Sequence, residues 1–281
     1  MGPRWRLGLI PLEGDKSSTR TRDFAASLGA ALGGTVDIHQ AADYRALVAA
    51  LEQQIVHFAW LPPLSAARAT RSSSVVPIAV AVRNGTTSYM TGLITRKGSS
   101  IRTLKDLVSV RVAWVDRDSA SGYVVIRAAL RISGISLVDA FSEELFLRSH
   151  GEVARAVSTG RVDVGATCFN FAEGSVQIAR TGYAGEGGLP REEVQLIAHA
   201  GPIPSDIFAA HAKVPAPTLA LLRGLLVGSR PSPARDLALT LMHADRFAEA
   251  TKEHAAMLAM LFDTVLAPRS NPPPRSIPPP R

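Results

Sequence analysis

The residues of this sequence best suited to chemistry form a short serine-rich segment, residues 116–122 (Asp-Arg-Asp-Ser-Ala-Ser-Gly). The segment follows a strand-like run and precedes a helix-like run. Hydroxyl and backbone N–H groups at the start of a helix face outward, where the helix dipole favours an anion. Ser119 and Ser121 are therefore candidate donors to an oxyanion, and Gly122 lets the backbone approach it. A serine there is equally suited to capping the helix, and the spacing does not separate the two interpretations.

His150 is a second candidate, because it lies between a strand-like run and a helix-like run. An imidazole that titrates near neutral pH can donate to an anionic ligand, although a surface or helix-capping histidine has the same local pattern. The histidines lack zinc-ligand spacing, and the sequence has no serine-nucleophile elbow. Cys168, the single cysteine, follows an apolar strand and is predicted to be a small core residue. We therefore expect no catalytic residue, no metal site and no cofactor.

The composition is that of a folded globular protein with a basic surface. The chain has 281 residues, of which 46% are hydrophobic and 20% charged, and its net charge is +7. A single cysteine excludes an internal disulfide framework. The arginines are scattered and do not cluster with aromatic residues, so the charge favours small anions over nucleic acid. We expect no nucleic-acid partner.

Strand-like and helix-like runs alternate along the chain, which predicts an α/β fold of mostly parallel sheets. The predicted strands are residues 6–12, 35–40, 56–61, 75–82, 89–95, 110–115, 145–147, 162–167 and 194–199. The predicted helices are residues 17–32, 44–54, 104–107, 122–132, 151–158, 219–227, 234–243 and 247–266. Two sets of such units indicate two lobes with a ligand cleft between them. Residues 268–281 are rich in proline and are predicted to be a disordered tail.

Several segments, in chain order, resemble the substrate-binding proteins of phosphate, phosphite and phosphonate ABC transporters. They are Tyr44-Arg-Ala-Leu, Val56-His-Phe-Ala-Trp60-Leu-Pro-Pro, Tyr89-Met-Thr-Gly, Leu104-Lys-Asp-Leu, Asp116-Arg-Asp-Ser-Ala-Ser-Gly-Tyr123, Ser149-His150-Gly-Glu152, Val162-Asp-Val-Gly-Ala and Ile203-Pro-Ser-Asp206. The resemblance extends over residues 5–265. It implies a two-lobed type II periplasmic binding fold with the ligand cleft between the lobes. With the alternation of elements, it places lobe I at residues 1–86 plus 201–267 and lobe II at residues 87–200.

The resemblance also implies which residues bind the ligand. The head of a phosphonate or phosphite would be held by Ser119, by the N–H of Ala120, by Ser121 and by His150. Tyr44 would close the pocket from the other lobe. Further candidates are Trp60 and Tyr89 as pocket walls, together with Asn170 and Asp206.

Asp206 and Asn170 bear on the ligand's charge. Asp206 matches the position that binds a cationic group in the aminophosphonate-binding members of the family. Asn170 stands where those members carry a second carboxylate, and an amide does not balance an ammonium charge. The resemblance therefore supports an aminoalkylphosphonate less well than a simple oxyanion.

The function expected from this resemblance is capture of a small phosphorus oxyanion by hinge closure. The protein would act as a monomer, either with an ABC transporter permease or as a cytoplasmic sensor. The alternative is a cytoplasmic enzyme on the same fold, acting on a small anionic metabolite. Residues 1–16 do not match a secretory signal, so the chain as written is expected in the cytoplasm, or in the periplasm if its start is trimmed.

Overall fold

The computed structural model describes residues 2–10, 15–172, 174–184 and 189–265. The predicted disordered tail, residues 268–281, lies outside this part of the chain. The strands are β1 (Arg4–Leu9), β2 (Thr35–Gln40), β3 (Phe58–Leu61), β4 (Val75–Val82), β5 (Ser88–Arg96), β6 (Val110–Trp114), β7 (Phe141–Phe146), β8 (Val164–Phe171), β9 (Ile178–Thr181), β10 (Val194–Pro204), β11 (Ile207–His211) and β12 (Arg246–Ala248). The helices are α1 (Asp15–Ala31), α2 (Tyr44–Glu52), α3 (Pro63–Ala69), α4 (Val125–Ile132), α5 (Leu137–Ala140), α6 (His150–Ser158), α7 (Ala216–Val227), α8 (Pro233–Met242) and α9 (Lys252–Val265).

The strands form two sheets, in agreement with the predicted two-lobed α/β architecture. The first sheet has the order β12-β4-β11-β3-β1-β2 and takes strands from both ends of the chain. The second sheet has the order β10-β5-β8-β6-β7, with β9 attached to β8. We use lobe I for the first sheet with helices α1–α3 and α7–α9, and lobe II for the second sheet with α4–α6.

The expectation of mostly parallel sheets is wrong, because both sheets are mixed. In lobe I, β1 pairs in parallel with β2 and β3, whereas β11 runs antiparallel to β3 and β4. In lobe II, β6 is parallel to β7 and β8, whereas β5 runs antiparallel to β8 and β10. The chain leaves lobe I after β4 and returns through β10 into β11. The outward and returning strands lie side by side, so they must run in opposite directions.

One predicted helix is wrong at its start. Residues 247–266 were expected to be helical, but residues 246–248 form β12, and α9 begins only at Lys252. β12 pairs with the end of β4, and Phe247 is buried in the core of lobe I. This long-range pairing outweighs the local helical pattern.

Each sheet separates two apolar layers. In lobe I, Phe58 belongs to a layer with residues of α1, α7 and α8, while its neighbour Ala59 belongs to a layer with α2, α3 and α9. Successive strand residues point to opposite faces, so β3 contributes to both layers. Two further layers surround Trp114 and Val153 in lobe II. Among the residues that the structure describes, no helix is long and apolar enough to cross a membrane.

Candidate ligand-binding site

The serine-rich segment forms the turn between β6 and α4. Its residues Ala120–Val124 make a π-helical turn that leads directly into α4. The Gly122 N–H donates a hydrogen bond to the Ser119 hydroxyl at 3.0 Å, so Ser119 is the N-cap of this turn. A Cβ at Gly122 would lie 2.4 Å from Val115, and the turn therefore requires glycine there. Ser119 thus has the capping role that the sequence left open.

The next two residues, Ala120 and Ser121, together contact both lobes. Ala120 is buried and packs with the apolar layer of lobe I, although it belongs to the chain of lobe II. Ser121 is buried, and its carbonyl accepts a hydrogen bond from Thr91 Oγ1 at 2.6 Å. The first N–H groups of a helix have no acceptor within their own helix. The amides of Ala120 and Ser121 and the Ser121 hydroxyl are therefore placed as donors to an anion.

Tyr89 connects this turn to the second sheet. It stands on β5 near Thr91 and shares a side-chain hydrogen bond with Ser121. Burial, followed by the nearby charge of Cys168, raises the pKa of the Tyr89 phenol far above its ordinary value. Tyr89 therefore keeps its proton at neutral pH and remains a hydrogen-bond donor.

His150 is the first residue of α6, but it does not cap the helix. The cap is Ser149, whose hydroxyl accepts a hydrogen bond from the Glu152 N–H at 3.1 Å. The His150 Nδ1 lies 3.3 Å from the Thr167 hydroxyl on β8. The imidazole is thus oriented by the second sheet, and its helix-capping interpretation is excluded.

Cys168 is not the core residue that the sequence predicted. It is partly exposed and lies against His150, with which it shares a side-chain hydrogen bond. Burial alone would raise the pKa of the Cys168 thiol, but His150 and Arg83 together lower it. Burial alone would likewise lower the pKa of His150, and Cys168 raises it. The apolar run 162–167 indicated a buried strand. The sequence therefore did not predict that the next residue, Cys168, lies beside His150.

Gly182, after β9, makes room for this pair. A Cβ on Gly182 would lie 2.4 Å from the Cys168 sulfur and 3.1 Å from the His150 ring. The Gly182 N–H also donates to the Cys168 carbonyl at 2.9 Å. Any larger residue at position 182 would displace the thiol or the imidazole.

Asp206 lies at the return from lobe II to lobe I, and its side chain is only 9% exposed. Arg83 donates to both carboxylate oxygens, from Nη1 at 2.6 Å and from Nη2 at 3.2 Å. The indole N–H of Trp60 donates to the same carboxylate. Asp206 is therefore already paired with a cation and with a neutral donor of this chain.

The Arg83 guanidinium is itself anchored. Its Nη2 donates to the Met242 carbonyl at 2.6 Å and its Nε to the His243 carbonyl at 3.1 Å. Burial alone would lower the pKa of Arg83, but the charge of Asp206, supported by Tyr89 and Cys168, raises it. Arg83 is thus a fixed positive charge near the residues that surround Ser121.

Tyr44 begins α2 in lobe I, directly after the N-cap Asp43. Burial, together with the charges of Asp116 and Asp118, raises the pKa of Tyr44 to about 12. The Tyr44 phenol therefore lies near the loop of lobe II that leads into the serine turn, and it stays protonated.

Asn170 has a structural contact. Its side chain is buried, and its Nδ2 donates to the Ser88 carbonyl at 3.0 Å. This bond ties β8 to the first residue of β5. The amide of Asn170 therefore holds the strand that carries Tyr89.

Two groups of ion pairs connect the lobes. Arg68 of α3 lies 3.0 Å from Asp118 of lobe II, and Arg45 of α2 lies 3.5 Å from the same carboxylate. Arg180 of β9 lies 3.2 Å from Asp245, which precedes β12 in lobe I. The lobes are therefore in direct contact on more than one side of the site.

These contacts join most of the predicted residues into one set. Ser121 contacts Tyr89, Cys168 contacts His150, and Asp206 contacts Trp60. β5 links these pairs, because its Tyr89 pairs with Ile203 close to Asp206 and its Thr91 pairs with Cys168. The site residues that sequence reasoning missed are Arg83, Thr91, Thr167, Cys168 and Gly182. In the described ranges, no group of three or more histidine, cysteine or acidic residues could hold a metal ion.

Over 92–93% of its length, the chain has the fold of two-lobed periplasmic binding proteins. A binding protein component of an ABC phosphonate transporter from Pseudomonas aeruginosa is 21% identical, with a TM-score of 0.73 over 93% of this chain and 86% of that chain. PhnD1 from Prochlorococcus marinus, solved in complex with methylphosphonate, is 17% identical, with a TM-score of 0.71 over 92% of this chain and 97% of that chain. A protein from Xanthomonas citri, solved with bound ATP, is 20% identical, with a TM-score of 0.68 over 93% and 99% of the two chains.

The sequence defines the family within this fold. Residues 7–255 match the family of periplasmic substrate-binding proteins of phosphonate ABC transporters. The chain belongs to this family. The resemblance seen in the sequence is thereby confirmed, and the class of function is solute binding for transport.

Proposed function

We propose that this protein binds a small phosphorus oxyanion, a phosphonate in the first place, at the serine turn that opens α4. The observation that carries the proposal is the buried set of donors at that turn. Ser121 is 2% exposed, and its hydroxyl and the first amides of the helix lie where a helix N-terminus favours negative charge. Family membership and the methylphosphonate complex of the Prochlorococcus relative support the same ligand class.

The donors around the turn come from both lobes. The Tyr89 phenol and the His150 imidazole would bind the oxyanion from lobe II, where the Thr167 hydroxyl lies against the His150 ring. Tyr44 would donate from lobe I, because its phenol stays protonated. Charge-assisted hydrogen bonds to an oxyanion are shorter and stronger than those between neutral groups.

The proposed mechanism is hinge closure. The hinge segments connect β4 to β5 and β10 to β11, with lobe I at residues 1–86 plus 201–267 and lobe II at residues 87–200. A ligand that contacts both lobes stabilises the closed arrangement over the open one. The ion pairs of Asp118 and Asp245 across the lobes support a closed arrangement of this kind.

The proposed setting is that of the family, namely a periplasmic protein that delivers its ligand to an ABC transporter. We propose that it acts there as a monomer. No catalytic step is assigned to the site. The hydroxyls, amides and imidazole described here suit capture and release of an anion.

The experiment is isothermal titration of the purified chain with methylphosphonate, phosphite, phosphate and sulfate. Ser121→Ala removes a buried hydroxyl donor and should weaken binding of the preferred phosphorus oxyanion by about 1.5–3 kcal/mol, or about 10- to 150-fold. Ser158→Ala is the matched control, because the Ser158 hydroxyl bonds the Arg155 carbonyl in its own helix. The proposal fails if none of the phosphorus oxyanions binds, or if the two variants bind equally well.

A further inference from the structure

Arg83 and Asp206 form a buried ion pair at the return from lobe II to lobe I. Asp206 is buried, and both of its oxygens accept hydrogen bonds from Arg83, one at 2.6 Å and one at 3.2 Å. An arginine that binds both oxygens of a carboxylate matches its geometry and its charge. The ion pair as a whole therefore presents no net charge to a ligand.

A ligand cation cannot easily replace Arg83. The guanidinium is 15% exposed and also donates to the main-chain carbonyls of Met242 and His243. Its displacement would break both of these hydrogen bonds and would leave a buried arginine charge to be accommodated elsewhere. Trp60 occupies the carboxylate as well, so an incoming ammonium would compete with two fixed donors.

A ligand ammonium at this wall would gain no counter-charge. Asp206 follows three residues after Ile203, which pairs with Tyr89 on β5, so the Arg83–Asp206 pair lies beside the strand that carries Tyr89. Asn170, which could offer an amide oxygen but no charge, donates its Nδ2 to Ser88. The wall near Asp206 is therefore suited to an uncharged substituent of the ligand and not to a cationic one.

We propose that Arg83 is a specificity-determining residue, which neutralises Asp206 and restricts the site to phosphonates without an amino group. This inference rests on the proposed function. It names simple alkylphosphonates as the substrate class and excludes aminoalkylphosphonates. Arg83 sets this preference, because an unpaired buried carboxylate at position 206 would favour a ligand with an ammonium group.

The test compares ethylphosphonate with 2-aminoethylphosphonate, which differ by the amino group. For the unmodified chain, titration calorimetry should give at least about a tenfold lower Kd for ethylphosphonate, because the ammonium group of 2-aminoethylphosphonate would lose water without gaining a counter-charge. Equal Kd values, or a preference for 2-aminoethylphosphonate, would overturn the inference and leave the proposed function intact. If neither compound nor any other phosphorus oxyanion binds, both fail.

A second experiment tests whether Arg83 causes the preference for ethylphosphonate over 2-aminoethylphosphonate. Arg83→Gln frees Asp206, so the ratio of the two Kd values should shift toward 2-aminoethylphosphonate by about tenfold or more. Arg111→Gln is the matched control, because Arg111 binds both oxygens of Asp163 in lobe II, at 2.8 and 3.1 Å. An unchanged ratio in a folded Arg83→Gln protein would overturn the role of Arg83. If this variant does not fold, the ratio measured on the unmodified chain still decides whether the site rejects an amino group.

Discussion

Asp118, on the loop that leads into the serine turn of lobe II, lies 3.0 Å from the Nη2 of Arg68 on α3 of lobe I. Both side chains are only 20% exposed. The loop that starts the ligand site is thus joined by charge to the opposite lobe. In the proposed hinge closure, this ion pair would form as the two lobes come together.

Asp118→Asn should weaken ligand binding, because the closed arrangement loses ion pairs that separated lobes cannot form. A pair of this exposure contributes about 1 kcal/mol, so Kd should rise about fivefold in titration calorimetry. The control is Arg4→Gln, which breaks the exposed pair with Asp37 at 2.6 Å within lobe I. A similar change of Kd in both variants would show that Asp118 does not act through closure.

Gly182→Ala and Gly224→Ala should change stability in opposite directions. The new Cβ at position 182 would meet the Cys168 sulfur at 2.4 Å, so the free energy of unfolding should fall by about 1–3 kcal/mol. Gly224 is exposed within α7, and its Cβ would meet no described atom within 4 Å. Alanine there should raise the free energy of unfolding by about 0.5–1 kcal/mol.

Urea denaturation measures both changes, and titration calorimetry adds the effect on the site. Gly182→Ala should also weaken oxyanion binding, because His150 moves with the thiol. Gly224→Ala should leave Kd unchanged. An unaltered Kd in Gly182→Ala would contradict the assignment of His150 and Cys168 to the ligand site.

The Cys168 thiol should react with iodoacetamide at lower pH than an ordinary cysteine. Its pKa is lowered by His150 and Arg83 in spite of its burial, and the thiolate is the reactive form. The rate should therefore rise through a midpoint below that of the same chain unfolded in urea. Since the sequence has a single cysteine, mass spectrometry reports this site alone.

His150→Gln removes the first of these charges, so the midpoint should move to higher pH. Bound ligand should slow the reaction of the unmodified chain, because Cys168 lies beside the proposed anion site. A midpoint that is the same in the folded and unfolded chain would contradict the pairing of Cys168 with His150.

The sequence predicted the fold class and most strands, because those segments have long apolar runs of their own. It did not predict strand direction, since the pairing of β4 with β11 joins residues far apart in the chain. β12 was predicted as helix because its three residues lie beside a genuine helical pattern. In each case the deciding interaction is long-range, and local periodicity does not report it.

Within the site, the serine turn was visible because its hydroxyls, glycine and helix start are adjacent in the sequence. Arg83 was not, because its partner Asp206 stands 123 positions away. Gly182 has no local motif either, and its role follows only from the space that Cys168 occupies. Residues that contact a partner on a distant strand form no recognisable spacing pattern with that partner in the sequence.

The position of β11 between β3 and β4 has a consequence for synthesis of the chain. When the ribosome has completed β4, the first lobe still lacks the strand that joins β4 to β3. Lobe II, whose strands β5–β10 are consecutive, is translated in full before β11 emerges. The half of the protein that begins first is therefore the half whose sheet is completed last.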